Sequence, residues 1–292
     1  LKNIIYSENE IFNIPYSYEI MNDKKMKKIF SKINFKLPKL QIQNELDYNN
    51  NKKRGFLNII FNKNKSKFDY EFNEDYFIFN FFDKSSNPNF TYEGKINFKP
   101  FYSSLNGKLD KINLTSFFDS EALFIQLLKT EVFNNQNLNI DLNINANKIT
   151  KYHNFVNLFL NSKIEEGLID IDNTKLDWSN FVNFKISDSL IYINENQLIL
   201  DGKLILDIQD IDNIYKFLLT PKKYRSKIRN MELNFNYNFD QKIMILNDIK
   251  IDNKKNNNVN KTLKNLLLRN DKLQNKIYLK KKINEAIRLY AG

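Results

Sequence analysis

A chain of 292 residues is long enough for one large core or two domains, and its skew towards Asn, Lys, Ile, Phe and Tyr, with 6 Gly and 5 Pro, is what an AT-rich genome produces. The formal charge of +11 rests mainly on lysine, whereas arginine supplies the planar bidentate contacts of base and phosphate recognition, so the charge reads first as solvation and second as weak attraction to anionic lipid; no nucleic-acid partner is expected. With no cysteine and one histidine the chain excludes disulfides, thiolate chemistry, His-based triads and multi-His metal sites, and no run approaches the ~18 apolar residues of a membrane-spanning helix or resembles a signal peptide.

Residues 1 to 26 keep no sustained period and are interrupted by Pro15, so an edge strand over Tyr16 to Met21 is expected there and little else. From Ile29 to Tyr48 the pattern is extended, with Ile33, Phe35 and Leu37 alternating before Pro38, and Leu40, Ile42 and Leu46 beyond it. The polar run from Asn49 to Gly55 reads as a turn. Phe56 to Phe61, Lys67 to Phe72 and Tyr76 to Phe82 follow as strands rich in Phe and Tyr, which pack well on a pleated surface. After a turn at Ser85 to Asn89, Phe90 to Phe98 and Gly107 to Leu114 give two more strands. At Phe117 the period changes: Asp119 or Ser120 is placed to cap a helix that ends near Phe133.

Leu138, Ile140, Leu142, Ile144 and Ala146 then alternate with Asn139, Asp141, Asn143 and Asn145, which puts every apolar side chain on one face of a strand. Asn157 to Ile164, the block from Gly167 to Asn173, Thr174 to Trp178, Phe184 to Ile193 and Gln197 to Ile208 continue as short strands joined by tight polar turns such as Asn194-Glu195-Asn196, an antiparallel meander. A short helix from about Asp210 to Leu219 stops at Thr220-Pro221, and a basic loop follows from Lys222 to Lys227. Met231 to Phe239 and Ile243 to Ile251 are two further strands, Lys254 to Asn258 a polar linker, and from Val259 onward the apolar residues approximate helical spacing with Lys on the other side. The organisation expected is a β-meander over 1–116, a joining helix over 117–134, a second β-sheet over 135–258 with a short helix near 210–219, and a basic amphipathic helix over 259–292.

About a dozen strands thus carry an apolar face, while three helical stretches are available to cover them. Contiguous exposed apolar patches beyond roughly 600 Å² are rare on monomers. The face must close as a sandwich, close as a barrel, or line a groove that holds apolar ligand; periodicity favours the closed forms and leaves all three open.

The block Gly167 to Asn173 leading to Trp178, then Asp188-Ser189-Leu190-Ile191-Tyr192, Leu200-Asp201-Gly202-Lys203, Tyr215 to Leu219 with Pro221 and Arg225, and the ending Ile283 to Ala286 through Tyr290-Ala291-Gly292 resemble the C-terminal region of AsmA-like proteins of alphaproteobacteria. The resemblance covers about Leu105 to Gly292, fades before Asn51, and carries no catalytic signature. It implies a mostly β fold: a long twisted antiparallel meander curled into a trough with an apolar inner face, a few short helices and a C-terminal amphipathic helix, as in bridge-like lipid-transfer proteins. It also implies a periplasmic, non-enzymatic protein without cofactor, anchored in the inner membrane, that moves phospholipid in outer-membrane biogenesis. Since the first residue is Leu1, the anchor is expected upstream of this chain.

Under that reading phospholipid tails lie on inward residues such as Leu198, Leu200, Leu204, Leu206, Leu233, Phe235 and Tyr237. Lys276, Lys280, Lys281 and Lys282 of the last helix are candidates for a membrane surface, though its apolar stripe serves equally to cap the last strands. Membrane surfaces and envelope proteins are the partners implied, and a closed β-sandwich scaffold in envelope assembly is the alternative. Of the remaining polar residues, His153 reads as a loop residue, and Asp170, Asp172 and Asp177 read as solvated carboxylates in preference to a Ca²⁺ site. Gly202 reads as a bend or bulge in a strand, and Trp178 as a core anchor.

Overall fold

Period-two patterning is realised along most of the chain, in a computed structural model that describes residues 2–11, 14–36, 39–48, 53–61, 64–82, 90–114, 122–264, 267–269 and 275–291. The strands form one long antiparallel meander with a few short helices. The chain divides into two compact units, the first of residues 1–110, 116–144 and 163–167, the second of residues 111–115, 145–162 and 168–292.

In the first unit β1 (Lys2–Ile11), β2 (Ile14–Asp23), β3 (Lys28–Phe35), β4 (Leu40–Asp47), β5 (Lys53–Phe61), β6 (Asn64–Phe72), β7 (Tyr76–Phe82), β8 (Phe90–Phe98) and β9 (Phe101–Ile112) each pair antiparallel with the next. The strand β1 is where sequence expectation fell short. It pairs with β2 from Lys2↔Asp23 to Ile11↔Ile14, yet its apolar residues show no alternation because both its faces are exposed, Ile4 at 62% and Ile5 at 58%. Lys53, Arg54 and Gly55, read as turn, belong to β5, and the strand expected from Gly107 begins at Phe101. The helix α1 (Leu123–Lys129) opens at Ala122 without a side-chain cap; Asp119 and Ser120, the expected caps, and the turn at Ser85 to Asn89 lie outside the described residues. Ile125 and Leu128 are its buried positions.

Three strands contribute to both units: β9, whose Lys111 and Ile112 fall in the second, β10 (Asn139–Ile149) and β11 (Phe155–Glu165). The second unit continues with β12 (Leu168–Asp170), β13 (Lys175–Trp178), β14 (Val182–Asn194), β15 (Gln197–Ile208), α2 (Ile211–Leu218), a 3-10 turn (Lys222–Tyr224), β16 (Asn230–Asn238) and β17 (Ile243–Ile251). Glu195-Asn196 joins β14 to β15 with both residues at positive φ, the two-residue turn whose twist matches that of the flanking strands. Asp188 in β14 and Asp248 in β17 also have positive φ and stand at register shifts, so they are bulges; Gly202 lies opposite the first of these.

Helix α2 is capped at Asp210, whose carboxylate accepts from the Asn213 N–H at 3.0 Å, and ends on Leu219 in the left-handed region before Thr220-Pro221. Beyond β17 the single amphipathic helix expected from Val259 is divided into α3 (Asn257–Lys264), β19 (Leu267–Arg269) and α4 (Lys276–Ala291), and the polar linker holds β18 (Lys254–Lys255). The Asn260 side chain explains why α3 stays on β17: it accepts from the Ile249 N–H at 2.6 Å and donates to the Ile249 carbonyl at 2.9 Å, completing the ladder that the bulge at Asp248 interrupts.

Candidate functional site: the apolar strand face

Register decides which side chains share a face. In the first unit Tyr18, Ile33, Ile42 and Ile59 form one cross-strand row over β2 to β5. A second row runs Leu46, Gly55, Tyr70, Phe79, Gly94, Leu105 over β4 to β9. Between them Leu57 faces Phe68, whose ring meets Phe81 at 5.2 Å and Phe79 at 5.6 Å. The opposite face is mixed: it carries the ion pairs Lys28–Glu45 at 2.6 Å and Arg54–Glu71 at 2.9 Å together with Phe30, Phe56, Ile60 and Ile78.

Of these inward side chains Leu46 and Tyr70 are buried, whereas Tyr18, Ile33, Ile42, Leu57, Ile59, Phe68, Phe79 and Phe81 are only half-buried. At about 4.8 Å between neighbours, the strands β2 to β9 span roughly 34 Å, and α1, with seven residues, is about 10 Å long. Among the described residues of this unit there is no other helix. Its polar members are satisfied within the sheet: the Tyr70 hydroxyl donates to Asn44 Oδ1, Asn44 Nδ2 donates to Ser31 Oγ at 3.1 Å, and the Tyr48 hydroxyl donates to Asn22 Oδ1 at 3.2 Å.

Four of the six glycines stand on the inward face directly opposite an aromatic ring: Gly55 with Tyr70, Gly94 with Phe79, Gly107 with Tyr92, and in the second unit Gly202 with Phe235. A Cβ at Gly107 would lie 2.5 Å from a Tyr92 ring carbon, and at Gly202 3.0 Å from the Phe235 ring; at Gly94 it would overlap Phe79. Each ring therefore lies down over its glycine and sits close to the backbone.

In the second unit the seven residues expected to line a groove do come together. Leu200 pairs with Tyr237 and Leu204 with Leu233, while Gly202 between them faces Phe235. Leu198 and Leu206 continue the same face of β15. Their burial differs: Leu198, Leu200, Leu233 and Phe235 are buried, and Leu204, Leu206 and Tyr237 are half-buried. Leu206 packs with Phe184, Trp178 and Phe181 against the cluster of Val182, Ile214, Tyr215, Leu218 and Ile287, so α2 and α4 cover that end of the face. Trp178 is thus a core anchor, edge-on to Phe217 at 4.9 Å and to Phe181 at 5.8 Å.

On the polar side of β15 to β17 a cavity of about 260 Å³ is lined by Lys203, Glu232, Asn234, Asp248, Lys250 and Lys255. Each lysine is opposed by a carboxylate, Lys203–Asp188 at 2.5 Å, Lys250–Glu232 at 3.7 Å and Lys255–Asp248 at 3.0 Å, which leaves no net charge to hold an anion. The carboxylates weighed for Ca²⁺ are engaged separately: Asp172 accepts from the Ser189 N–H and hydroxyl, Asp170 from the Asp172 N–H, and Asp177 from Asn157. No cluster of three or more metal-ligating side chains occurs among the described residues, and His153 sits in an exposed turn.

Of the membrane-surface candidates, Lys280 Nζ donates to the Phe217 carbonyl at 2.6 Å, Lys282 pairs with Glu285 at 2.9 Å, and Lys281 is exposed; the Lys276 side chain lies outside the described ones. Among the described residues no helix is long and apolar enough to cross a membrane. What fold and site define is an antiparallel meander whose apolar strand residues are half-buried in the first unit and for the most part buried in the second. No family model, curated protein or solved structure matches the chain.

Proposed function

We propose that the chain is an AsmA-like, non-enzymatic segment of the periplasm, tethered to the inner membrane upstream, that conducts phospholipid tails along the apolar face of its sheet during outer-membrane biogenesis. The observation that carries the reading is the half-buried inward face of β2 to β8, apolar across consecutive strands and wider than α1 can hide. At about 0.8 kcal/mol per buried methylene, taking both tails of a phospholipid through water costs on the order of 20 kcal/mol. A continuous apolar face removes most of that cost, and no bond-making residue is needed. In the first unit, taken by itself, the tails run over Ile33, Ile42, Leu57, Ile59, Phe68 and Phe79; in the second, Leu204 and Tyr237 are the half-buried positions among the expected lining residues.

The buried Leu198, Leu200, Leu233 and Phe235 favour a second reading for the second unit, a closed β scaffold that contacts envelope partners through its surface. Ile59→Asp tests the conduction reading. A carboxylate on an open face stays hydrated, so the variant should keep its unfolding free energy within about 1 kcal/mol while transfer of a fluorescent phospholipid between vesicles falls at least tenfold. Transfer at the parent rate, or an unfolded variant, would contradict a conducting face.

A further inference from the structure

We infer that the end of the second unit built by α2, the Lys222–Tyr224 turn and α4 docks on an anionic bilayer, with Leu219 and Ile277 entering the interface and the surrounding lysines meeting lipid phosphates. The first support is charge. From Asn213 to Arg229 the chain carries six cations and no carboxylate, and α4 carries five cations and one carboxylate. These two stretches hold ten of the eleven net positive charges of the protein, so the rest is close to neutral.

The fold brings the two stretches together. Lys280 Nζ, bonded to the Phe217 carbonyl, stands 4.0 Å over the Phe217 ring. Asn284 Nδ2 donates to the Leu218 carbonyl at 2.7 Å and its Oδ1 accepts from the Thr220 hydroxyl at 2.6 Å, while Arg288 lies over the Tyr224 ring at 5.4 Å. Ile287 buries itself among Ile214, Tyr215 and Leu218.

The second support is apolar exposure at the same place. Leu219 is 79% exposed and Ile277 82%, beside Phe217 at 37%. Leu219 is the C-cap of α2 at φ 60, a position that Gly or Asn fills with less strain, so capping does not account for a large apolar side chain held in water. Ile277 precedes Lys280 and Lys281 by three and four residues and shares their side of α4. A nucleic-acid backbone would satisfy the lysines but gives these two side chains nothing to enter; the boundary between head groups and acyl chains satisfies both. The inference goes beyond the conduction reading, since a protein that carried no lipid along its sheet would still dock.

Flotation of the whole chain with vesicles tests it. Binding is expected to vesicles of phosphatidylcholine mixed with phosphatidylglycerol, to weaken as salt rises, and to be weak on phosphatidylcholine alone. With about fivefold per lysine near an anionic surface, Lys222→Gln, Lys223→Gln and Lys281→Gln together should weaken binding on the order of 100-fold. Leu219→Asn with Ile277→Ser, substitutions at exposed positions that should not lower the melting temperature, should weaken it about tenfold. Equal binding to neutral vesicles, or variants that bind as the parent does, would overturn the inference, as would a lysine variant that loses affinity for a DNA duplex and none for vesicles.

Discussion

The pairing of Gly94 with Phe79 sets a residue's usual strand preference against its surroundings. Valine is the better strand former, so intrinsic preference alone expects Gly94→Val to stabilise. The ring lying over Gly94 reverses the sign: the variant should lose about 1–3 kcal/mol in urea unfolding, and the loss should shrink in a Phe79→Ala background. An unchanged loss there would mean that the ring is not its cause. Tyr70, over Gly55, gives a second test. Burial pushes its hydroxyl up to about 12, whereas in the unfolded chain it ionises near 10. Between those values the unfolded chain has released a proton that the folded protein keeps, so stability falls as pH rises, by up to about 1.4 kcal/mol per pH unit. Below pH ~10 this group contributes no slope. Tyr70→Phe should flatten the alkaline decline in urea midpoints measured across this window, and an unaltered decline would refute the assignment. None of this was legible in the sequence, because a glycine–ring pair forms between strands and its register is fixed only once both have paired.

Among the elements, apolar-rich runs bounded by turn residues were legible. The strands β8, β15 and β17 lie at the residues expected of them. The strand β1 was missed because it is wet on both faces, and the C-terminal helix was read as continuous because the apolar residues of α3, β19 and α4 happen to keep near-helical spacing across the interruption. The start of α2 was legible at about Asp210, though the capping role of that carboxylate was not assigned; α1 opens on Ala122 without a side-chain cap. Asp210→Ala should therefore cost about 1 kcal/mol in unfolding free energy and, by loosening α2, reduce protection from hydrogen exchange at Ile214 and Tyr215. Protection unchanged at both amides would show that packing against Val182 and Ile287 alone holds the helix.

At the largest scale, apolar strand surface outruns the helices among the described residues. In the second unit α2 and α4 gather over the Leu206 end of the strand face, while the buried lining residues Leu198, Leu200 and Phe235 lie toward the other end of β15 and β16. In the first unit the face stays half-buried, and its lining was unassigned in sequence although its Phe and Tyr content was evident, because alternation marks a face without telling what covers it. The proposed conduction of lipid rests on that surplus. Mass spectrometry of the natively folded chain, purified without detergent from cells and after incubation with phospholipid vesicles, reads it directly. The account expects stoichiometric phospholipid on the parent protein and its loss from Ile59→Asp; a folded parent that carries no lipid and takes none up would contradict it.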